Sequence, residues 1–186
     1  QANDPLNGLA IDIPGGSYTR DTDFKVSQRP ITRSTFNSDI NPISPLITVE
    51  NGGGYLGICM GAYWAGKHYF NILDDVDAVQ YLKRPNTDTR RPHAKNMPVT
   101  WENTPMNMFW YDGCALVGDH RRFETVATYA NGDAMAIYQN RIGLIGCHPE
   151  SQLFWYDKRY LRPHWHHGRH HELLLAFVDR LLSQQS

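Results

Sequence analysis

The sequence predicts a mixed α/β protein with a central, largely parallel sheet flanked by helices and an antiparallel meander late in the chain. In the first half, short apolar runs alternate with helical stretches, which is typical of strands joined by helices. Later, two segments with alternating side chains flank Asn131-Gly132, a strong hairpin signal. The length of 186 residues suits one domain, so we expect residues 1–186 to fold as a single unit.

The first predicted elements lie before residue 71. Residues 9–13 form a short apolar run that ends at Pro14-Gly15-Gly16, which predicts a buried strand and a tight loop. Ser44-Pro45 is typical of a helix N-cap followed by proline at the first helical position. Residues 55–58 predict a second buried strand, and residues 62–70 predict a helix shortly after it.

The second half of the chain contains a proline-rich segment and then several strands. Residues 83–105 carry prolines among polar residues, so we expect mostly loop or edge strand there. Residues 106–111 predict a strand, residues 123–138 a hairpin, and residues 142–147 a third buried run. Apolar residues that recur at helical spacing predict a final helix; they are Leu173, Leu174, Phe177, Val178 and Leu181.

Composition and charge exclude several classes of protein. Hydrophobic residues are 41% and charged residues 20% of the chain, which indicates a globular fold. The net charge is −1 and basic residues do not cluster, so we expect no nucleic-acid partner. No apolar run approaches the roughly 20 residues of a membrane span. Three cysteines, an odd number, do not make a disulfide framework.

The segment Gly57-Ile58-Cys59-Met60-Gly61 lies between an apolar strand and a helix. A nucleophile on a sharp strand-to-helix turn needs small residues two positions before and after it, because larger side chains would collide where the backbone folds back. The nearby helix N-terminus favours the reactive thiolate. We therefore predict that Cys59 is a nucleophile. The alternative is a buried cysteine that packs as a small hydrophobic side chain.

Two further segments complete the predicted site. His148 follows a buried strand, where functional groups of open α/β sheets gather. Glu150 lies two residues on, so an extended segment would put its carboxylate beside the imidazole, as a base and its orienting acid require. Gly15 and Gly16 allow backbone N–H groups to face a ligand, and with the Met60 amide they could stabilise an oxyanion. Taken alone, either segment also fits an ordinary loop.

Together and in this order, these segments resemble the class I glutamine-amidotransferase-like superfamily. The resemblance is carried by Pro14-Gly15-Gly16, by residues 52–63 (GGGYLGICMGAY) and by Cys147-His148-Pro149-Glu150. Residues 108–114 and 127–132 further resemble the group similar to the N-terminal domain of biotin–protein ligases. The similarity covers roughly residues 9–182.

The resemblance implies a flavodoxin-like fold and a role for each site residue. Cys59 would be the nucleophile, His148 the base and Glu150 the orienting acid, and Gly16 and Met60 would donate to the oxyanion. The family fold normally begins with a strand and a helix before the Pro-Gly-Gly loop. Because Pro14 lies so early in the sequence, we expect that first βα unit to be absent, and a partner chain or a second copy could complete the sheet.

Five histidines lie close together near the final helix: His164, His166, His167, His170 and His171. Two pairs are four residues apart, so each pair would share one face if the helix extended that far. Zinc needs three or four ligands, and the only acid nearby is Glu172. We expect these histidines to pack on Trp165 or to face solvent, with a zinc site as the alternative.

The motifs favour a cysteine hydrolase that cleaves a small-molecule or peptide amide through an acyl-enzyme. We predict neither a cofactor nor a metal. Two alternatives keep the same fold: a non-catalytic binding or regulatory module, and a redox-protective protein in which Cys59 is oxidised. Cys114 and Cys147 are predicted to be structural. The expected location is the cytoplasm, or outside the cell after removal of a signal.

Overall fold

The structure, a computed structural model, describes residues 53–183. Three predictions lie outside these residues: the strand at residues 9–13, the Gly15-Gly16 loop, and the helix after Ser44. Residues 53–183 lie within one compact unit of the chain. That residues 1–186 form a single domain without the first βα unit stays a prediction.

Eight strands and two α-helices make up the described part of the chain. The strands are β1 (Tyr55–Ile58), β2 (Val76–Gln80), β3 (Lys95–Trp101), β4 (Thr104–Trp110), β5 (Cys114–Gly118), β6 (Glu124–Tyr129), β7 (Ala134–Gln139) and β8 (Ile142–Ile145). The helices are α1 (Met60–Ala65) and α2 (Arg169–Ser183). Short 3-10 helices occupy Tyr81–Lys83, Leu153–Tyr156 and Arg162–His164.

The strands form one mixed sheet in the order β1-β8-β7-β6-β3-β4, with β5 beside β7 and β2 beside β5. Within residues 53–183, β1 and β8 are the one parallel pair. Every other strand pair described is antiparallel. The prediction of a largely parallel sheet is therefore wrong, whereas the mixed α/β class and the late antiparallel meander are confirmed.

Short connections explain this difference. Parallel neighbours need a crossover of about a dozen residues or more. Here two residues, Glu102 and Asn103, join β3 to β4, and two more, Asn140 and Arg141, join β7 to β8. Glu102 and Asn103 both have positive φ, 44° and 68°, which is the backbone of a tight hairpin turn. Strands joined in this way can only run antiparallel.

The proline-rich segment differs from its prediction as well. Instead of only loop or edge strand, residues 83–105 contain β3, which lies between β4 and β6. Pro98 pairs with Asn107 of β4, while β6 pairs only with residues 99–101 of β3. The N–H that proline lacks is therefore not needed for a bond to β6, and an interior strand can hold Pro98.

The strand at residues 55–58 and the hairpin at Asn131-Gly132 are confirmed. The helix predicted over residues 62–70 is shorter, because α1 ends at Ala65. Gly66 follows in an extended conformation, where an added Cβ would lie 2.6 Å from Oδ1 of Asp77. The close approach of β2 at Gly66 thus accompanies the early end of this helix.

Helices α1 and α2 cover opposite faces of β8. Ile142 and Leu144 share a buried cluster with Ala62 and Ala65 of α1. Gly143, between them, faces α2, where an added Cβ would lie 2.6 Å from the ring of Phe177. Helical cover of the described sheet is thus smaller than predicted, because α1 has only six residues.

The final helix is confirmed as an amphipathic element. Its buried apolar residues are Leu174, Phe177 and Leu181, which recur at helical spacing. The Phe177 ring stacks on Tyr138 at 4.2 Å and meets Trp101 edge to face at 5.9 Å. Neither this helix nor any other among residues 53–183 is long and apolar enough to cross a membrane.

Candidate active site

Cys59 and His148 come together because they follow the two parallel strands. Ile58 and Ile145, the last residues of β1 and β8, are register partners. The Cys59 amide then donates to the Ile145 carbonyl at 2.8 Å, which extends the pairing one residue past β1. Since the carboxyl ends of parallel strands share one edge, both predicted residues leave the sheet at the same place.

The backbone of Cys59 is strained. Its φ is 49° and its ψ is −102°, a combination that a residue with a side chain rarely adopts. Gly57 makes the turn possible, because a Cβ there would lie 2.6 Å from the carbonyl oxygen of Gly61. Gly61 has more room, since the nearest atom to its Cβ position is the Tyr55 hydroxyl at 3.9 Å. We call this sharp strand-to-helix turn at Cys59 the elbow.

The Tyr55 side chain links the two sides of the elbow. Its hydroxyl donates to the Gly61 carbonyl at 2.5 Å, so the strand before the elbow is tied to the helix after it. The amides of Ala62 and Tyr63 both donate to the Cys59 carbonyl, at 3.0 and 3.2 Å. The sharp turn is therefore fixed by three hydrogen bonds that join residues on its two sides.

His148 and Glu150 form a hydrogen-bonded pair. His148 Nδ1 lies 2.7 Å from Glu150 Oε1, with exposed side-chain fractions of 14% and 33%. In this arrangement Nδ1–H donates to the carboxylate, which leaves Nε2 free for a proton from another group. The His148 amide donates to the Phe109 carbonyl at 2.8 Å, so the loop that carries the pair is anchored to β4.

The charge state of His148 depends on its neighbours. Burial disfavours the charged imidazole, but interactions of the ring with Cys59 and Glu150 outweigh burial and raise the pKa of His148 to about 10. At neutral pH this favours the charged imidazolium form of the His148 ring.

Tyr111, directly after β4, contacts Cys59, and the sequence did not reveal it as part of the site. The Cys59 thiol donates to the Tyr111 carbonyl oxygen, with a distance of 3.4 Å between Sγ and O. The Tyr63 hydroxyl donates to the next carbonyl, that of Asp112, at 3.1 Å. Asp112 has a φ of 49°, and Gln80 donates to both of its carboxylate oxygens, which holds this turn against the elbow.

Aromatic rings enclose the imidazole. Phe109 and Trp155 each meet the His148 ring edge to face, with centroids 5.9 and 5.2 Å away. Phe109 also contacts Trp155 at 5.2 Å, so the three rings form a continuous wall. Phe109 could have been suspected from its place at the end of a strand. Trp155 lies in a segment with no motif, and as a tryptophan it is expected in the core or in the wall of a pocket.

The other two cysteines lie in the core. Cys114 and Cys147 are fully buried, and burial raises the pKa of both thiols above the ordinary range. The Cys147 sulfur lies 4.0 Å from the Tyr129 hydroxyl. All three cysteines are free thiols.

The histidine cluster packs around Ser151 rather than around a shared ligand position. His166 and His171 both reach the Ser151 carbonyl, and His170 stacks on His166 at 4.2 Å. Trp165 packs on the His166 ring at 4.1 Å, as predicted. Over residues 53–183, no three His, Cys, Asp or Glu side chains are grouped so that they could hold a metal ion.

Comparisons with known proteins were made on sequence and on structure. No family model matches the chain, and no curated protein matches it. Among solved structures, a glutamine amidotransferase is 16% identical with a TM-score of 0.44, over 59% of this chain and 59% of the other. A protein from Thermoplasma acidophilum, assigned to GMP synthase as one of its subunits, is also 16% identical, with a TM-score of 0.49 over 76% of this chain and 64% of the other.

The chain therefore spans less than two thirds of the length of either structure. Both neighbours are glutamine-amidotransferase-type proteins, at low identity. The finer resemblance to the biotin–protein ligase group is supported by neither of them. At this identity and overlap the likeness carries no conclusion about activity or substrate.

Proposed function

We propose that the protein is a cysteine hydrolase of small-molecule or peptide amides, with Cys59 as nucleophile, His148 as base and Glu150 as orienting acid. The observation that carries the proposal is the strained Cys59 elbow at the same sheet edge as the hydrogen-bonded His148–Glu150 pair. Strained backbone at the start of a helix is costly and is retained where it exposes a reactive group.

The proposed reaction uses one proton carrier throughout. In the resting site His148 Nε2 holds the proton that Cys59 Sγ has given up, and the thiolate attacks the amide carbonyl carbon. The oxyanion that forms accepts a hydrogen bond from the Met60 amide, and Gly15 and Gly16, outside the described residues, remain the candidates for a second donor. His148 then gives its proton to the leaving nitrogen as the C–N bond breaks, which leaves a thioester on Cys59.

Water completes the cycle. His148, now neutral, accepts a proton from water, whose oxygen attacks the thioester carbonyl carbon. When the C–S bond breaks, the carboxylic acid leaves and the thiolate returns beside the imidazolium. Glu150 keeps Nδ1–H directed toward itself, so that Nε2 faces the reacting atoms in both halves of the reaction.

Selective alkylation of Cys59 tests this proposal. Native protein treated with iodoacetamide and digested should carry the label on Cys59, because Cys114 and Cys147 are fully buried and their thiols have raised pKa values. A panel of amides incubated with the wild type should yield an acyl adduct on Cys59 by mass spectrometry. Cys59→Ala should abolish the adduct, and Cys114→Ala is the matched control that should retain it.

Other outcomes would favour the other functions that the sequence allows. Cys59 is itself only 9% exposed, and a Cys59 no more reactive than Cys114 and Cys147 would contradict a catalytic role and favour a binding or regulatory module. Conversion of Cys59 to a sulfinic acid by mild peroxide, with no acyl adduct from any amide, would favour a redox-protective protein.

A further inference from the structure

Two histidines converge on a single backbone oxygen beside the proposed triad. His166 Nε2 lies 3.1 Å and His171 Nε2 lies 3.0 Å from the carbonyl oxygen of Ser151. Ser151 directly follows Glu150, and its carbonyl accepts from both rings at once. A carbonyl oxygen has two lone pairs, so two donors satisfy it fully.

The hydrogen bonds of His166 establish which of its nitrogens carries the proton. Its Nδ1 accepts from the amides of Gly168 and His170, at 3.2 and 3.3 Å. A nitrogen that accepts from two N–H groups carries no proton, so in the neutral ring Nε2–H is the donor to Ser151. The His166 ring thus links the first turn of α2 to the loop that carries Glu150, and it can do so only when neutral.

Ser151 is held on its other sides as well. It is fully buried, its hydroxyl lies 2.9 Å from the Tyr156 hydroxyl, and its amide donates to the His148 carbonyl at 3.2 Å. At Glu150, the Gln152 side-chain amide donates to the backbone carbonyl at 3.1 Å, and the carboxylate bonds His148. Its Oε2 is buried and has no hydrogen-bond partner among the described residues, so its position follows from its backbone and from the bond to His148.

We propose that His166 and His171 are positioning residues of the Cys59 site, because their hold on the Ser151 carbonyl fixes the backbone of Glu150 and hence the orientation of the His148 ring. The positioning role rests on the proposed function only because His148 is the base of the proposed hydrolase. The histidine cluster then has a role that needs no metal ligands. A shift of about 1 Å in a catalytic group can lower a rate about a hundredfold, so holding this backbone matters to the chemistry.

The His166 ring also makes this arrangement depend on pH. A proton on Nδ1 of His166 would remove its two acceptor bonds and leave the start of α2 without this link. The titratable and charged groups that face the ring are Tyr156, His167, Arg169, His170 and His171. Burial lowers the pKa of His166, the bond to the Ser151 carbonyl opposes this, and the nearby positive groups add to the lowering. The ring is therefore neutral at neutral pH, and its Nδ1 bonds to the start of α2 are lost in acid.

The test uses Cys59 alkylation and the NMR signal of His148 Nδ1–H, which should lie far downfield because of its short bond to Glu150. His171→Ala should slow alkylation by about tenfold and shift or broaden that signal. His171→Gln keeps a hydrogen-bond donor at nearly the same distance from the backbone. It should restore most of the alkylation rate and most of the His148 Nδ1–H signal. His164→Ala, in an exposed histidine of the same segment, is the control and should match the wild type.

The pH profile separates positioning from a purely structural role. In the wild type the His148 signal should weaken as His166 gains its proton, whereas in His166→Gln the signal should persist to lower pH.

If His171→Ala keeps the wild-type rate and signal, the positioning proposal is wrong, and the hydrolase proposal still stands. If wild-type Cys59 is unreactive, the hydrolase proposal fails, yet the NMR signal still decides whether the two histidines orient His148. If His171→Ala does not fold, the pH profile of the His148 Nδ1–H signal is compared between His171→Gln and His166→Gln. The proposal expects the signal to persist to lower pH in His166→Gln only, and equal profiles would overturn it.

Discussion

Ile58 and Ile145 are register partners at the carboxyl ends of β1 and β8. The pairing continues one residue further, where the Cys59 amide donates to the Ile145 carbonyl. In a sheet that is otherwise antiparallel over the described residues, this parallel pair is what brings the chain of Cys59 and the chain of His148 to one edge. The candidate site depends on this contact between two strands whose paired residues are 87 positions apart in the sequence.

Gly57→Ala should destabilise the fold and slow Cys59 alkylation. The added Cβ would lie 2.6 Å from the Gly61 carbonyl oxygen, so the backbone of the elbow must move. We expect a loss of about 1–3 kcal/mol in the free energy of unfolding, as for other overpacked positions. Denaturant unfolding with iodoacetamide labelling measures both effects.

Gly61→Ala is the matched control for Gly57→Ala. Its Cβ position has 3.9 Å of clearance to the Tyr55 hydroxyl, and alanine favours a helix by up to about 1 kcal/mol over glycine. We expect unchanged or slightly higher stability. Equal losses for the two variants would contradict the steric account of the elbow.

Glu150→Gln should lower the pKa of His148 from about 10. The carboxylate is one of the interactions that favour the imidazolium, and the amide that replaces it carries no charge. NMR titration of the imidazole measures the change. Glu172→Gln, at an exposed position of α2, should leave the His148 titration unaltered.

The raised pKa of His148 also predicts how the free energy of unfolding changes at alkaline pH. The folded pKa of His148 lies above the ordinary value of about 6.5, so its contribution is complete below that pH and is lost as the pH rises through about 10. In Glu150→Gln this loss should begin at a lower pH. An identical alkaline profile for the two proteins would show that Glu150 does not stabilise the charged ring.

Phe177→Ala should be strongly destabilising. The ring is 3% exposed and packs on Tyr138, Trp101 and the face of β8 at Gly143. Removing a buried phenylalanine costs about 3–5 kcal/mol, which denaturant unfolding can measure. Leu175→Ala on the same helix, 40% exposed, should change stability by no more than about 0.5 kcal/mol.

His170→Leu should remove part of the acid sensitivity of the fold. Burial, followed by the nearby His166, Arg169 and His171, lowers the pKa of His170 to about 4. A folded pKa below the ordinary value means that stability is complete above pH about 6.5 and is lost as the pH falls toward 4. Unfolding free energies measured between these values should fall less steeply in His170→Leu than in the wild type. His164→Leu, at an exposed position, should keep the wild-type slope.

Local patterns in the sequence predicted the sharp turn at Cys59 and the contact between His148 and Glu150. The spacing of Gly57, Cys59 and Gly61 predicted an elbow, because the steric limits of a sharp turn act between residues close in sequence. The same holds for the Asn131-Gly132 hairpin and for the buried face of α2. His148 and Glu150, two residues apart, were predicted to lie side by side for the same local reason, and they do.

The predictions that were wrong or incomplete concern contacts between segments that are far apart in the sequence. A hairpin through Glu102 and Asn103 lacks the glycine that usually marks such turns, so β3 and β4 were not recognised as a pair. The role of Tyr111 depends on how the end of β4 lies against the elbow. The histidine cluster raised the question of zinc, yet what its members contact is the Ser151 carbonyl from another part of the chain.

The sequence by itself therefore determined the mixed α/β class, the elbow at Cys59, the His148–Glu150 pair, the late hairpin and the amphipathic final helix. Each follows from backbone sterics or from periodicity within a few residues. Only the tertiary structure decided that the sheet is mainly antiparallel, that β1 pairs with β8, and that two histidines hold the loop of Glu150. Those outcomes depend on which distant strands bury the most apolar surface and satisfy the most backbone groups together, and no short segment contains that information.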